Sequence, residues 1–187
     1  MLFSFCSAVS SECENLPLDI AIVIDQTKSV GMRNYDKMLD SIKSLIEKYD
    51  VGEDRTHFSI VTYARNAKVR VSLDDPKYHS RKALTKLLDE MKKRDKLGNP
   101  TRTDIALKIV REEVFATENG DRPESPNIMI VFTDGNTAKW SKPYDTVIPA
   151  LEVRTSRLLN HIYITAELYG MTSVTNPLTN FKYYKIV

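Results

Sequence analysis

Two short stretches limit what this chain can become: LDIAIVID (Leu18 to Asp25) and NIMIVFTD (Asn127 to Asp134). Each is a nearly unbroken apolar run of strand length that closes on an aspartate. A strand with one wet face alternates apolar and polar residues. A strand buried on both faces does not, and such strands sit at the centre of parallel sheets with helices on either side.

The text around these runs agrees. Tyr35, Met38, Leu39, Ile42, Leu45, Ile46 and Tyr49 recur at steps of three and four, one face of an amphipathic helix, with Gly52 just past its end. HFSIVTYA (His57 to Ala64) reads as a second strand. AKVRVSL (Ala67 to Leu73) alternates after a tight Arg65-Asn66 turn, so it reads as an antiparallel edge strand. Ala83, Leu84, Leu87, Leu88 and Met91 mark a second helix. Thr103 or Asp104 would cap a third, running to about Phe115 with Ile105, Ile109, Val110 and Val114 inward. Later, PYDTVIPALEV reads as a helix, and HIYITAEL (His161 to Leu168) and FKYYKIV (Phe181 to Val187) as strands. The expected fold class is α/β: a three-layer, Rossmann-like open sheet, mostly parallel with one antiparallel edge strand, and helices on both faces.

Composition narrows the function. Lys plus Arg number 27 and Asp plus Glu 25, a net charge of +2 in 187 residues. A nucleic-acid binder carries a stronger basic excess or stripe, so no nucleic-acid partner is expected. No apolar run approaches the roughly 20 residues of a membrane helix. The two cysteines, Cys6 and Cys13, make no disulfide framework and no zinc motif. Residues 1–15, small and apolar without Lys or Arg, read as a signal peptide clipped at its start or as a leader with no address.

The chemistry gathers at strand ends. In an open α/β sheet, ligands bind beyond the carboxyl ends of strands, where connections diverge to opposite faces. Asp25 opens the loop DQTKS, which sets Thr27 and Ser29 at alternate positions. Thr101 and Thr103 come from the Gly/Pro-bearing loop LGNPTRT, and Asp134 begins a TDGN turn. Hard oxygen donors of this kind suit Mg²⁺, with Ca²⁺ or Mn²⁺ as substitutes. Two carboxylates and neutral hydroxyls would leave such an ion electrophilic, open to one further carboxylate from a partner.

These segments resemble the von Willebrand factor type A domain. DQTKSV stands where that family has its Asp-x-Ser-x-Ser metal-ion-dependent adhesion site, PTRTDIAL where it has Thr-x-Thr-Gly-x-Ala-Leu, and VFTDGN where a strand ends in Thr-Asp-Gly. PLDIAIVID with Cys13 nearby is also similar to the start of secreted A domains of matrilins and related collagens. The resemblance implies Asp25, Thr27, Ser29, Thr101 and Asp134 as metal ligands, and Lys28, Arg102, Asn136 and Trp140 as the ligand-binding rim. Three positions depart from the family: Thr27 replaces a serine, Lys28 a small residue and Asp104 a glycine. Residues 16–187 would form one such domain, divergent after about 152. The final family helix has no counterpart in the sequence after Val153, as in a truncated or alternatively spliced product. Its loss would bare an apolar patch and favour self-association.

Other features read plainly. Arg81 to Lys96 carries seven Lys or Arg against three Asp or Glu, either a solvated helix face or a patch for acidic matrix polymers. His57, His79 and His161 lie in no catalytic order. A phosphotransferase of the haloacid-dehalogenase type needs a carboxylate where Thr27 stands, and there is no Walker A motif, so no enzyme is expected. The resemblance implies a secreted extracellular-matrix adhesion module. It would bind a protein ligand, collagen-like or of a biomineral matrix, through a Mg²⁺-bridged carboxylate. The alternative is an A domain with an inactive metal site that serves as a structural or scaffold interaction module.

Overall fold

A computed structural model describes residues 17–134 and the backbone of residues 161–166. Along the chain run β1 (Asp19–Asp25), α1 (Met32–Ile46), β2 (His57–Tyr63), β3 (Ala67–Val71), α2 (Arg81–Arg94), α3 (Thr103–Ile109), β4 (Asn127–Thr133) and β5 (His161–Ala166). The strands form one sheet in the order β3-β2-β1-β4-β5. β1 pairs in parallel with both β2 and β4, β4 pairs in parallel with β5, and only β3 runs antiparallel, against β2. This is the α/β class read from the sequence.

The apolar run of β1 explains the layering. Successive side chains of a strand point to opposite faces. Ile20, Ile22 and Ile24 pack with Met38, Leu39 and Ile42 of α1 and Leu84 and Leu88 of α2. Ala21 and Val23 pack on the other face with Ala106 and Leu107 of α3 and with Val110, Val114 and Phe115 beyond it. All five β1 residues are fully buried. Truncating one of the isoleucines to alanine would cost about 2–5 kcal/mol, a large part of a domain's total stability of roughly 5–15 kcal/mol.

The third helix differs from expectation. Its inward residues are Thr103, Ala106, Leu107, Val110 and Val114, whereas Ile105 and Ile109 are half-buried. Small Ala106 and hydroxyl-bearing Thr103 hold the inner stripe because the helix packs close to the sheet. The N-cap is Arg102, without a side-chain cap bond. The last turn, Val110–Val114, widens to π geometry, with the Phe115 amide donating to the Val110 carbonyl at 3.0 Å.

At the amino end of β1 a second constraint appears. Asp19 is fully buried, and Arg122 closes over it. The guanidinium Nη2 and Nε reach Oδ1 at 2.7 and 3.0 Å, and the Arg122 amide reaches Oδ2 at 2.9 Å. The histidines, scattered in sequence, partly converge beside it. His57 and His79 stack with ring centroids 3.8 Å apart, and each ring Nε2 meets a backbone carbonyl, of Glu53 and Leu73, at 2.8 Å. Burial, helped by the charges of Arg122 and His79, pushes the His57 pKa down.

The leader with Cys6 and Cys13, the helix read over PYDTVIPALEV, the strand read over Phe181–Val187 and the expected loss of the final helix all lie outside the described residues.

Removing Arg122 strands a buried carboxylate, the costly half of a broken ion pair. Arg122→Leu is therefore expected to lower stability by about 3 kcal/mol in urea unfolding. A change within the error of the fit would show that the Asp19 clasp does not hold the sheet's lower edge.

Candidate functional site

The carboxyl ends of β1 and β4 lie side by side where the strand order reverses, with β2 beyond β1 and β5 beyond β4, the place where open α/β sheets bind ligands. Asp25 ends β1 and is fully buried. Its Oδ1 accepts from the Thr27 amide at 3.0 Å and the Thr27 hydroxyl at 2.6 Å. Its Oδ2 accepts from the Tyr63 hydroxyl at 3.2 Å and the Thr133 hydroxyl at 2.9 Å. Four donors thus converge on one carboxylate, and all are neutral.

Each donor's position follows from the local fold. Tyr63 is the register partner of Asp25 across β1 and β2. Thr133 is the last residue of β4. Thr27 is held because its loop is zipped to a neighbour. The Lys28 amide donates to the Gly98 carbonyl and the Gly98 amide to the Gln26 carbonyl, both at 2.9 Å. Gly98 has no room for a side chain, since a Cβ there would lie 2.8 Å from the Cβ of Ala64. Gly31, at φ 75° and ψ 147°, starts α1 in a conformation close to glycine-only.

The proton directions are consistent. Thr27 spends its hydroxyl proton on Asp25, so Ser29 donates to Thr27 across their 2.9 Å contact. Thr103 donates to the Tyr63 oxygen at 3.3 Å, and Tyr63 donates onward to Asp25. Burial and the Asp25 charge push the Tyr63 pKa far up, so it stays a donor. Burial raises the Asp25 pKa, the Asp134 charge raises it further, and the bonds from Thr27 and Thr133 oppose the rise.

The sequence-read residues therefore separate. Asp25, Thr27 and Ser29 form one hydrogen-bonded chain. Thr101 is buried in the adjoining loop, which the Arg102 amide ties to the Ala64 carbonyl at 3.0 Å. Asp134 is half-buried just past β4 and acts on Asp25 through its charge. Lys28 and Ser29 are exposed. Arg102 holds Asp104 with two bonds, at 2.8 and 2.6 Å, which lowers the Asp104 pKa. That pair accounts for a carboxylate where the family carries glycine. Asn136 and Trp140 lie outside the described residues. Tyr63 and Thr133 were missed as partners of Asp25, and Thr103, read from the sequence in its loop, bonds to Tyr63 instead. Register alone marks Tyr63, because any residue ending the strand beside β1 must face the same rim.

The magnesium expectation, with Ca²⁺ or Mn²⁺ as substitutes, is corrected here. Among the described residues no three His, Cys, Asp or Glu side chains come together to hold a metal ion. Both oxygens of Asp25 accept hydrogen bonds from neutral donors, and the Thr27 hydroxyl gives its proton to Asp25. With no such cluster, the described residues make no site for the ion, and Asp25 is held by hydrogen bonds.

The von Willebrand factor type A domain profile matches residues 19–160, about three-quarters of the chain. The chain belongs to that family. It is 31% identical to matrilin-3 of Gallus gallus over 131 residues, which covers 68% of this chain and 28% of matrilin-3. It is 25% identical over 157 residues to von Willebrand factor A domain-containing protein 2 of Xenopus laevis, covering 84% of this chain and 19% of that protein. The chain thus spans less than a third of these relatives' own length. The fold is similar to that of proximal thread matrix protein 1 from the mussel byssus, solved with a zinc-occupied MIDAS motif: TM-score 0.67, 21% identity, 81% of this chain and 38% of the other. The family is one of non-catalytic adhesion modules, and this domain is not an enzyme.

Because the folded domain raises the Asp25 pKa above 3.8, the ionised carboxylate costs stability. The sign is fixed: this group's favourable share is complete below the unfolded value and is lost as pH rises through the folded one. Asp25→Asn removes the charge but sets an NH2 against one pair of donors, so the pH slope carries the test: wild-type Tm is expected to rise relative to the Asn variant as pH falls from 7 toward 4. Thermal unfolding over that range checks it. A difference between the two proteins that does not change with pH would contradict the raised Asp25 pKa.

Proposed function

We propose that this domain is an extracellular interaction module that holds a matrix protein at the carboxyl rim of its sheet without a divalent ion. The observation that carries the reading is the saturated Asp25 carboxylate, which fixes the DQTKS loop and leaves Lys28 and Ser29 exposed at its crest. Family membership and similarity to matrilins support the adhesion role and the extracellular setting.

The chemistry of the rim defines the partner. Lys28 offers an ammonium with three donors, and Ser29 keeps lone pairs after giving its proton to Thr27. An exposed carboxylate on a collagen-like or other matrix protein suits the ammonium, and a nearby N–H suits Ser29. Thr101, Arg102 and Asp134 border this crest and serve as its frame. A rim charge of this kind governs encounter and orientation more than total affinity. This is the interaction-module form of the family, in which the adhesion-site segments remain and their hydrogen bonds stand in place of an ion. No helix among the described residues is long and apolar enough to cross a membrane.

The test uses immobilised fibrillar collagen as the probe. Binding is expected to persist in EDTA and to fall at least fivefold with Lys28→Glu, while circular dichroism stays unchanged. Binding lost in EDTA but kept by Lys28→Glu would overturn the ion-free reading. No binding in either condition would overturn the choice of ligand.

A further inference from the structure

A buried imidazole pair lies at the end of the sheet opposite the rim. His57 opens β2 as the register partner of Asp19, whereas Tyr63, which ends β2, partners Asp25. Six strand steps, about 20 Å, separate the two ends. His57 is only 6% exposed. Its ring stacks on that of His79, with centroids 3.8 Å apart and planes 17° apart. His79 closes the turn Pro76–Tyr78 that leads into α2.

The hydrogen bonds place the protons. A carbonyl oxygen only accepts, so a ring nitrogen bonded to it carries hydrogen. Nε2 of His57 donates to the Glu53 carbonyl and Nε2 of His79 to the Leu73 carbonyl, each at 2.8 Å. In the neutral ring, Nδ1 then holds a lone pair. Nδ1 of His57 is buried and has no hydrogen-bond partner among the described residues. A second proton on His57 can go only there. It would create a buried donor with no acceptor and a buried charge, both costly.

The neighbours do not remove that cost. Burial opposes a cation at His57 most strongly, and the charges of Arg122, from the segment before β4, and of His79 add to it. The Glu53 carbonyl and Asp19 of β1 act the other way. Asp19 is already clasped by Arg122, and Asp121 acts on that pair. β3 pairs with β2 only from Ile60 to Tyr63, beyond His57.

The two rings differ in freedom. His57 is built into β2, between the sheet and the stack. His79 belongs to a short turn, where the His79 amide reaches the Pro76 carbonyl at 3.3 Å and the Asp75 amide the Ser72 carbonyl at 3.4 Å. Both are longer than the usual 2.7–3.2 Å range. Pro76 and Lys77 are exposed. A segment held by long backbone bonds opens at less cost than a core strand. If His79 leaves the stack, water can reach Nδ1 of His57 and satisfy its new proton.

We propose that the His57–His79 stack is an acid-released latch: it holds turn 74–80 against the start of β2 at neutral pH, and protonation lets the turn open while the sheet stays folded. The latch is independent of the rim reading, since it lies at the other end of β2. Its sign is set by the lowered His57 pKa. The closed state keeps its full stability above the ordinary imidazole value of 6.5 and loses it as pH falls below that value toward the folded one. Asp25 and Asp121, whose pKa values burial raises, favour the folded state over the same fall in pH and so cannot cause the loss.

The experiment is amide hydrogen exchange on the intact chain at about pH 7.5 and 5.5, on either side of the ordinary imidazole value and corrected for the intrinsic exchange rate. Protection of the Tyr78 and His79 amides is expected to fall at least about tenfold at the lower pH, and that of β1 amides less than about twofold. His79→Phe keeps a flat ring without a titrating nitrogen, and its turn should change less than about twofold. The wild-type imidazole signals, followed by NMR, need no variant: His57 should titrate below pH 6.5, with the turn opening at the same midpoint. Equal loss of protection in β1 would overturn the latch, because the pair would then act on the whole domain. So would an undiminished pH response in His79→Phe, an unchanged turn in the wild type, or a His57 that titrates at or above 6.5.

Discussion

The structure depends on β1. It is hydrogen-bonded along both edges, to β2 and β4, and covered on both faces by helices. A strand so enclosed can carry polar groups only at its ends, and there it carries two fully buried aspartates, Asp19 and Asp25. Burying a carboxylate is costly unless its oxygens are satisfied. The two ends solve this differently. Asp19 meets a full opposite charge in Arg122. Asp25 meets only hydroxyls and an amide.

That asymmetry separates the scaffold end from the functional end. The Asp19 clasp joins the start of β1 to the segment before β4 and so closes the sheet's lower edge. At the upper edge, neutral donors fix the geometry, and burial raises the Asp25 pKa against the opposing pull of their bonds. The loop that supplies those donors is held by backbone bonds to Gly98 and presents Lys28 and Ser29 outward. The loop's polar groups are used internally, and preorganisation of this kind reduces the ordering cost of binding.

Much of this was legible in the sequence. The unbroken apolar runs gave the central strands, and the three- and four-residue spacing from Tyr35 to Ile46 gave the helix that covers them. The inner stripe of α3 was misread, because Thr103 and Ala106 look like poor core residues until close packing selects them. The strand-end motifs pointed to the Asp25 cluster, but the metal they implied finds no three His, Cys, Asp or Glu side chains together among the described residues. Two of the donors that satisfy Asp25, Tyr63 and Thr133, lie tens of residues from it in sequence and are brought to it only by the sheet. The pairing of the basic run along α2 was half legible. The basic run was evident, but which lysines are matched depends on Asp40, Asp50 and Lys43 of a different segment.

The central claim is that hydrogen bonds alone satisfy Asp25. Thermal unfolding of the wild-type chain in millimolar Mg²⁺ and in EDTA tests it most directly. A ligand held only by the folded state at a hundred times its Kd adds about 2.7 kcal/mol of stability, a shift of several degrees. The account predicts the same Tm in both conditions. A saturable rise in Tm with Mg²⁺, absent in Asp25→Asn, would contradict it.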